Sequence, residues 1–331
     1  MASRPLILTS GEPAGVAPEI TAGAWRALRN ESACVFTLIG DRDYWQARNP
    51  GVPIKAITSL AEAREVFGIA LPVLDRPLAA QPRPGIIATE TAPQVIAAID
   101  EAVALAFAGE AAGIVTNPIQ KEALYGAGFR HQGHTDYLAH LSARHGHKVQ
   151  EVMMLVAEDL RAIPITVHIP LKDVPQAITG DAILAQARVT ARDLTRYFGI
   201  ARPRLAVTGL NPHAGENGTM GREEIDIIKP ALATLRAEGY NVLGPLPADT
   251  AFHPEARAAY DAILCMYHDQ ALIPVKTLDF HGGINVSLGL PFIRTSPDHG
   301  TALGIAGQGI ANPKSLIAAI RLAARMAQAP A

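Results

Sequence analysis

Short apolar runs alternate along the chain with longer segments in which hydrophobic residues recur at helical spacing. This alternation predicts the α/β class, with a mostly parallel sheet covered by helices. Strands are predicted over residues 5–10, 33–40 and 113–116. Helices are predicted from Pro18 onward and over residues 93–109, where hydrophobic residues three and four apart form one buried face.

The C-terminal helix has a recognisable start. Asn312 can cap a helix that begins with Pro313, because an asparagine oxygen accepts from a free backbone N–H and proline fits the first turn. We expect the helix to bury the residues that recur along one face, namely Leu316, Ile320 and Ala323.

Residues 71–90 contain prolines at positions 72, 77, 82 and 84. Proline removes a backbone donor and fixes φ, so we expect a loop-rich excursion that forms a surface flap. No change of composition marks a domain boundary. We therefore expect domains that share a sheet, or a chain that leaves one domain and returns to it.

Composition narrows the class of protein. The 331 residues, at about 150 per domain, suggest about two domains. With 49% hydrophobic residues and 29 basic against 31 acidic side chains, disorder and a basic nucleic-acid surface are both disfavoured. Cys34 and Cys265 form no paired motif, which favours a reducing compartment. No apolar run is long enough for a signal peptide or a membrane span, so we expect a cytoplasmic protein without membrane or nucleic-acid partners.

Three of the 11 histidines follow apolar runs: His168, His213 and His268. The carboxyl ends of parallel strands line one crevice, so these imidazoles are predicted to converge there. Three imidazoles with one open position are typical of a catalytic metal site. The alternative is that each is an isolated capping or core histidine. Asp269 is a further ligand, a carboxylate that orients His268, or a helix cap.

The sequence has no Gly-x-Gly-x-x-Gly after a strand and no phosphate loop of the nucleotide triphosphatases. A glycine-rich segment over residues 299–313 leads into the C-terminal helix and would let a ligand approach the backbone closely, although a plain connector fits equally well. Lys276 and Arg294 follow apolar stretches that resemble strands. Both are candidate anion-binding groups, and an internal or surface salt bridge is the alternative.

Several long motifs are spread along nearly the whole chain and combine polar residues with glycines in patterns far more specific than a single glycine motif. The segments are GEPAGVAPEI (11–20), TNPIQKEAL (116–124), GHTDYLA (133–139), TVHIPL (166–171), GLNPHAGENGTMGREEID (209–226), GPLPADTAF (244–252), MYHDQALIPVK (266–276) and GGINVSLGLPFIRTSPDHGTA (282–302). Together they resemble the 4-hydroxythreonine-4-phosphate dehydrogenase family of vitamin B6 biosynthesis.

The resemblance implies an isocitrate/isopropylmalate dehydrogenase-like fold, in which two α/β domains of three layers (α/β/α) enclose a cleft. Residues 1–128 with 276–331 are then expected to form an outer α/β domain with the dinucleotide-side loop. Residues 129–275 are expected to form a central α/β domain with the dimer interface and the metal-ligand histidines.

The implied activity is the NAD- or NADP-linked oxidation of 4-(phosphooxy)-L-threonine to a β-keto acid. That acid loses carbon dioxide to give 3-amino-2-oxopropyl phosphate. The resemblance also implies a divalent metal, zinc or alternatively magnesium or cobalt, and a homodimer whose active site is built from both subunits.

The family's functional residues transfer to matching positions here. The metal ligands correspond to the same three histidines, 168, 213 and 268, and the catalytic candidates are Asp249, for proton handling or the substrate ammonium, and Lys276. The substrate contacts correspond to His134, Thr135, Lys276, Asn285 and Arg294. The segment HGTALGIAGQGIANP resembles the adenine-side loop of isopropylmalate and isocitrate dehydrogenases, which makes His299, Gly300, Thr301, Ala302 and Asn312 the candidate cofactor contacts.

Other functions stay open at this stage. Related enzymes oxidise other phosphorylated four-carbon hydroxy acids, of the 4-phospho-threonate or 4-phospho-erythronate type, or aromatic dihydrodiols. A zinc hydrolase with the same three histidines, a phosphate acyltransferase and a non-catalytic phosphometabolite sensor are the rival classes. The sequence leaves open NAD against NADP, the metal, the general base and the subunit that supplies each histidine.

Overall fold

We analysed a computed structural model of the chain, which describes residues 4–329. In chain order, the strands within these residues are β1 (Leu6–Thr9), β2 (Phe36–Gly40), β3 (Ile54–Ile57), β4 (Leu71–Asp75), β5 (Ile114–Thr116), β6 (Val152–Ala157), β7 (Leu160–Pro164), β8 (Arg204–Thr208), β9 (Asn241–Leu246), β10 (Ala262–Cys265), β11 (Ile284–Leu288) and β12 (Arg294–Pro297).

Helices separate most of these strands, which confirms the α/β class. They are α1 (Ala17–Leu28), α2 (Arg42–Arg48), α3 (Ala63–Phe67), α4 (Ala92–Phe107), α5 (Lys121–Gly126), α6 (His134–Arg144), α7 (Val174–Ala177), α8 (Gly180–Phe198), α9 (Lys229–Ala237), α10 (Pro254–Arg257), α11 (His268–Leu278) and α12 (Lys314–Met326). In the described part of the chain, none of them has both the length and the apolar composition needed to cross a membrane.

The chain divides into two compact units. The first contains the chain up to Val149 together with Leu290–Gln328, and the second contains Gln150–Gly289. The first unit is therefore discontinuous in sequence, because the chain leaves it and returns. Both crossings lie later in the chain than residues 128 and 275, the boundaries expected from the family resemblance.

The first unit contains six strands in the order β3-β4-β2-β1-β5-β12, and every pair among them is parallel. All residues of β1 and β2 are buried. A strand covered on both faces has no solvent-facing side, which explains why these segments are continuous apolar runs rather than alternating patterns.

The second unit contains β11-β6-β7-β10-β8-β9. Here β6 is antiparallel to both β11 and β7, whereas β10 is parallel to β7 and β8, and β8 is parallel to β9. The expectation of a mostly parallel sheet is thus met in the first unit, while the second unit is mixed. Because β7, β10 and β8 are parallel neighbours, their carboxyl ends lie side by side.

Two predictions in the N-terminal third were wrong in part. The strand predicted from residue 33 begins at Phe36, because Ser32–Cys34 forms a short 3₁₀ turn. The loop predicted from residue 71 begins only after β4, which is a buried strand that contains Pro72. Pro72 is tolerated there because it precedes Val73, where the pairing of β4 with β2 begins. Residues 76–88 are irregular, as predicted.

Two further predictions concern helices. The C-terminal helix α12 starts at Lys314, and the side-chain oxygen of Asn312 accepts from the Lys314 N–H at 3.0 Å, so Asn312 caps it as predicted, although Pro313 precedes the helix instead of starting it. The predicted face is buried, with Leu316, Ile320 and Ala323 fully enclosed. Lys276 was expected after a strand and lies instead near the end of α11, a helix that accommodates Pro274.

Candidate active-site residues

The three histidines follow the carboxyl ends of three neighbouring parallel strands in the second unit. His168 comes after β7, His268 directly begins α11 after β10, and His213 comes after β8. The prediction that these histidines follow strands which end at one edge is confirmed. The backbone topology, rather than the sequence spacing, brings these positions near one another.

Two of the three imidazoles are close together. The ring centres of His168 and His268 are 5.7 Å apart, and Nδ1 of His268 lies 2.7 Å from a carboxylate oxygen of Asp269. A carboxylate that accepts from one ring nitrogen fixes the tautomer and leaves the other nitrogen available as a ligand. Of the three roles considered for Asp269, namely metal ligand, orienting carboxylate and helix cap, this contact favours the orienting carboxylate.

Within residues 4–329 of one chain, no group of three or more histidine, cysteine, aspartate or glutamate side chains is arranged to hold a metal. His168 and His213 are exposed and His268 is half-buried. His213 also lies in a turn with a left-handed backbone, at φ 53°. A ligand set made of all three histidines stays a prediction for a single chain.

The first unit contains a buried cation, Arg294, at the start of β12. Only 3% of Arg294 is exposed, and its Nη2 donates to the hydroxyl of Thr116 at 2.7 Å. Burial lowers the pKa of Arg294 to about 9, so the guanidinium still carries its charge at neutral pH. Because a buried charge gains strongly from an opposite charge, this position favours a carboxylate or phosphate.

His134 lies beside this guanidinium and begins α6. Its Nε2 is buried and has no hydrogen-bond partner among the described residues. Burial, followed by the positive charges of Arg294 and Lys121, holds the pKa of His134 well below its usual value. The imidazole is therefore neutral at neutral pH and can share a proton with a ligand. Thr135 lies in the first turn of α6, and the positive end of the helix dipole at that terminus also favours an anion.

The other candidates lie in the second unit. Asn285 is on β11, and its buried Oδ1 has no hydrogen-bond partner among the described residues. Lys276 is half-buried, with Nζ 5.6 Å from the ring centre of Phe280. Asp249 is exposed and, with Asp269, lines a cavity of about 390 Å³. Asp249 thus shares a cavity with the carboxylate that contacts His268.

The predicted cofactor loop is built around Thr301, which is 8% exposed. Its hydroxyl donates to the Gln120 side-chain oxygen at 2.9 Å, and its carbonyl accepts from the Val16 N–H at 3.0 Å. A Cβ at Gly15 would lie 2.7 Å from that carbonyl, so this close approach requires glycine. His299, Gly300, Ala302 and Asn312 are exposed, which leaves the rest of the loop accessible to a ligand.

Sequence reasoning did not identify the residues that support these groups. Thr116, Gln120 and Lys121 lie next to Arg294, Thr301 and His134 respectively, and all three come from the single segment TNPIQKEAL. The signal was present, because this segment follows the predicted strand that ends at residue 116. The partners of Thr116 and Gln120, however, are far away in sequence, and only His134 is near its neighbour Lys121.

Proteins of known family resemble this chain along nearly its whole length. The family model described as pyridoxal phosphate biosynthetic protein PdxA matches residues 32–323. The 4-hydroxythreonine-4-phosphate dehydrogenase of Caulobacter vibrioides is 55% identical over 329 residues, which cover 99% of this chain and 98% of that protein. The enzyme of the same name from Bradyrhizobium diazoefficiens is 51% identical and covers 99% of this chain and 98% of its own length.

Solved structures agree with this result. The crystal structure of 4-hydroxythreonine-4-phosphate dehydrogenase from Klebsiella pneumoniae superposes with a TM-score of 0.87 at 39% identity, covering 98% of this chain and 100% of that one. A terephthalate 1,2-cis-dihydrodiol dehydrogenase from Burkholderia xenovorans is more distant, with a TM-score of 0.65 at 28% identity, over 97% of this chain and 98% of that one. The chain is thus similar to both along nearly its whole length.

Proposed function

Because the chain belongs to the family of pyridoxal phosphate biosynthetic proteins PdxA, we propose that it is a 4-hydroxythreonine-4-phosphate dehydrogenase of pyridoxal 5'-phosphate biosynthesis. The reaction proposed is the oxidation of 4-(phosphooxy)-L-threonine, followed by decarboxylation to 3-amino-2-oxopropyl phosphate. This substrate carries two anionic groups, a phosphate and a carboxylate.

The observation that carries the proposal is the buried guanidinium of Arg294 beside the neutral imidazole of His134. Arg294 offers a planar fork of donors that suits a carboxylate or a phosphate. The partnerless Nε2 of His134 lies close enough to Arg294 for its charge to lower the pKa of the imidazole. Together with Thr135 in the first turn of α6, these groups form the proposed anion site.

The dehydrogenase family implies a nicotinamide cofactor and a divalent metal. For the metal, the donor set fits in part: His168 and His268 approach each other, and Asp269 leaves one nitrogen of His268 available. Neutral imidazole suits zinc and cobalt, whereas magnesium prefers oxygen ligands. We propose that His168, His213 and His268 hold a zinc or cobalt ion, with magnesium as the less favoured alternative.

For the nicotinamide cofactor, NAD or NADP, we propose the loop of residues 299–302 with Asn312 as the adenine-side contact. Thr301 is the fixed point of this loop, since its hydroxyl and its carbonyl are both hydrogen-bonded. Exposed backbone on either side of Thr301 can then approach the cofactor.

In the proposed reaction, the C–H bond of the secondary alcohol breaks and its hydride reduces the nicotinamide, while the hydroxyl proton passes to a base. The C–C bond to the carboxylate of the β-keto acid then breaks and releases carbon dioxide. The enolate left behind takes up a proton at its carbon to give 3-amino-2-oxopropyl phosphate. A bound divalent metal supplies Lewis-acid chemistry, which favours loss of the hydroxyl proton and stabilises negative charge developing on the same oxygen.

The side chains of this chain have distinct proposed roles in that reaction. We propose that Arg294, His134 and Thr135 of the first unit bind an anionic group of the substrate. Lys276 and Asn285 of the second unit are further proposed substrate contacts, as the family resemblance implies. Asp249 is the proposed proton acceptor or the partner of the substrate ammonium, since it lines a cavity with Asp269 beside His268.

We also propose that the protein is a homodimer with its active site at the subunit interface. Large apolar side chains are exposed around two of the histidines: Ile169 and Leu171 after His168, and Ile273 on the helix that His268 begins. Clustered exposed apolar groups are typical of protein interfaces. The two cysteines are free and buried, which supports a reducing, cytoplasmic location.

The proposed function is tested by assaying the purified protein with 4-(phosphooxy)-L-threonine and NAD⁺ or NADP⁺, with reduced nicotinamide measured by absorbance. We expect turnover that a chelator abolishes and that added zinc or cobalt restores. Parallel assays with 4-phospho-D-erythronate and with a terephthalate dihydrodiol distinguish the related dehydrogenases. Absence of reduced nicotinamide with the metal present would rule the proposal out.

A further inference from the structure

The turn that carries His213 has a backbone that L-amino acids seldom adopt. From His213 to Asn217 the φ angles are 53°, 51°, 78°, 40° and 57°, and only one of these residues, Gly215, is a glycine. Each left-handed non-glycine residue is disfavoured by a clash between Cβ and the backbone. Such a turn persists only where the surrounding structure holds it.

Glu224, in the π-helical turn Glu224–Ile228, contacts the residues that lead into this left-handed turn. It is only 1% exposed. Its Oε1 accepts from the backbone N–H groups of Leu210 and Asn211, both at 2.8 Å, and its Oε2 accepts from the Asn211 side chain at 3.0 Å. These are charge-assisted hydrogen bonds, which are stronger than bonds between neutral groups.

Packing around the carboxylate is equally close. A Cβ at Gly209 would lie 2.9 Å from Oε1 of Glu224, and a Cβ at Gly215 would lie 2.5 Å from Oε2. One residue precedes the turn and the other is inside it. The carboxylate therefore packs between the residue that precedes the turn and the residue at its middle.

His213 itself is exposed, so the position of its ring depends on the backbone of the turn. We propose that Glu224 is a positioning residue for His213: its carboxylate holds the loop after β8 in the left-handed turn that directs this imidazole. The inference rests on the proposed function, because it assumes that His213 is a metal ligand.

The experiment is a calorimetric titration of Co²⁺ into the metal-free, full-length protein. The variants are Glu224→Ala, His213→Ala and the double variant. Asp226→Asn is the matched control, because Asp226 is an exposed carboxylate of the same π-helical turn and forms an ion pair with Arg222. We expect Glu224→Ala to weaken Co²⁺ binding by about 10- to 100-fold, the range found when groups that orient metal ligands are removed. Asp226→Asn should bind Co²⁺ like the unmodified protein.

The double variant separates positioning from general damage. If Glu224 acts through His213, Glu224→Ala should cause no further loss of affinity once His213 is alanine. An equal loss in both backgrounds would overturn the inference. Hydrogen exchange provides a metal-free measurement: the amides of Leu210 and Asn211 should exchange faster in Glu224→Ala, and unchanged exchange would also overturn it.

A conservative variant covers the case in which Glu224→Ala does not fold. The carbonyl of Glu224→Gln can still accept from both backbone N–H groups, but its amide donor faces the donor of Asn211. We expect a loss of Co²⁺ affinity smaller than that of alanine, which again disappears in the His213→Ala background. Normal affinity in both Glu224 variants, with weakened binding in His213→Ala, would overturn only this inference. Normal affinity in His213→Ala would overturn the proposed metal site as well.

Discussion

At the scale of single residues, several charged side chains are removed from water, and two of them lie at or near the candidate site. Arg294 is buried at the start of a strand, and Glu224 is buried behind a loop. Arg294 donates to Thr116, which is far away in sequence, and Glu224 accepts from Leu210 and Asn211 in the preceding loop. Buried charges are costly unless they are paired or hydrogen-bonded, and groups of this kind are candidates for a functional site.

A substitution of Arg294 tests the anion site directly. Arg294→Lys replaces the planar fork by a single amino group, which also loses its charge more readily when buried, so at least one charge-assisted hydrogen bond to the substrate should be lost. Such a bond contributes about 1.5 kcal/mol or more, which corresponds to a rise in KM of about tenfold or more. Steady-state kinetics with varied 4-(phosphooxy)-L-threonine provide the measurement.

The matched control is Arg321→Lys, because Arg321 forms an exposed ion pair with Glu31 in the same unit. Exposed ion pairs contribute little to stability, so the free energy of unfolding of this variant should equal that of the unmodified protein. Its KM should also be unchanged, because Arg321 is not part of the proposed anion site. If the KM of Arg294→Lys also equals that of the unmodified protein, Arg294 does not bind the substrate.

At the scale of elements, loops after parallel strands carry the candidate groups, and helices fix those loops. The loop between β1 and α1 packs against Thr301. The N–H of Val16 donates to the Thr301 carbonyl, and Gly15 has no side chain that would keep the two segments apart. The proposed cofactor loop, which includes position 301, is thus held by a segment near the start of the chain, around position 15. Both segments belong to the first unit.

Gly15→Ala should move this loop. The added Cβ would lie 2.7 Å from the carbonyl oxygen of Thr301, and backbone atoms at this distance have to shift. We expect the KM for the nicotinamide to rise about tenfold while the KM for the phosphorylated substrate changes little, together with a destabilisation of about 1–3 kcal/mol from overpacking. Kinetics with each substrate varied in turn and chemical unfolding are the measurements.

Gly304→Ala is the control in the cofactor-side segment, since nothing lies within 4 Å of a Cβ at Gly304. Its kinetics should match those of the unmodified protein. If Gly15→Ala raises neither KM, or raises both equally, the segment around Thr301 is not a specific cofactor contact.

At the scale of the whole molecule, two observations lead to one expectation: no three-ligand metal group forms within residues 4–329 of one chain, and apolar residues are exposed near two of the histidines. A site built from two chains contains histidines from both, so a mixed dimer of two inactive variants can contain one intact site. We expect His213→Ala and His268→Ala to be inactive alone, and a mixture that has exchanged subunits to regain part of the activity.

The activity of the mixture is measured after unfolding and refolding the two variants together, with each variant refolded alone as the control. Light scattering checks that the protein is a dimer. A dimer whose mixture stays inactive would indicate that both histidines serve the same site from one chain. A monomer would contradict the proposed interface.

Part of the candidate site could be predicted from the sequence, because some signals are local. A histidine after an apolar run marks the end of a strand, and the three such histidines do follow β7, β8 and β10. A basic residue within an apolar segment is costly to bury, which singled out Arg294. Lys276 shows the limit of this reasoning, since a short apolar run does not distinguish the predicted strand from the helix α11.

The sequence by itself determined the α/β class and the chemistry available, because the alternation of apolar runs and the types of polar residue are properties of the linear chain. Only the tertiary structure decided which polar groups support one another: Thr116 with Arg294, Gln120 with Thr301, Glu224 with the His213 turn. The reason is that sheet order brings distant strand ends together, and side-chain spacing along the chain contains no record of that order. The left-handed turn at His213 is likewise a backbone conformation that local propensity disfavours, so it depends on contacts with the surrounding structure.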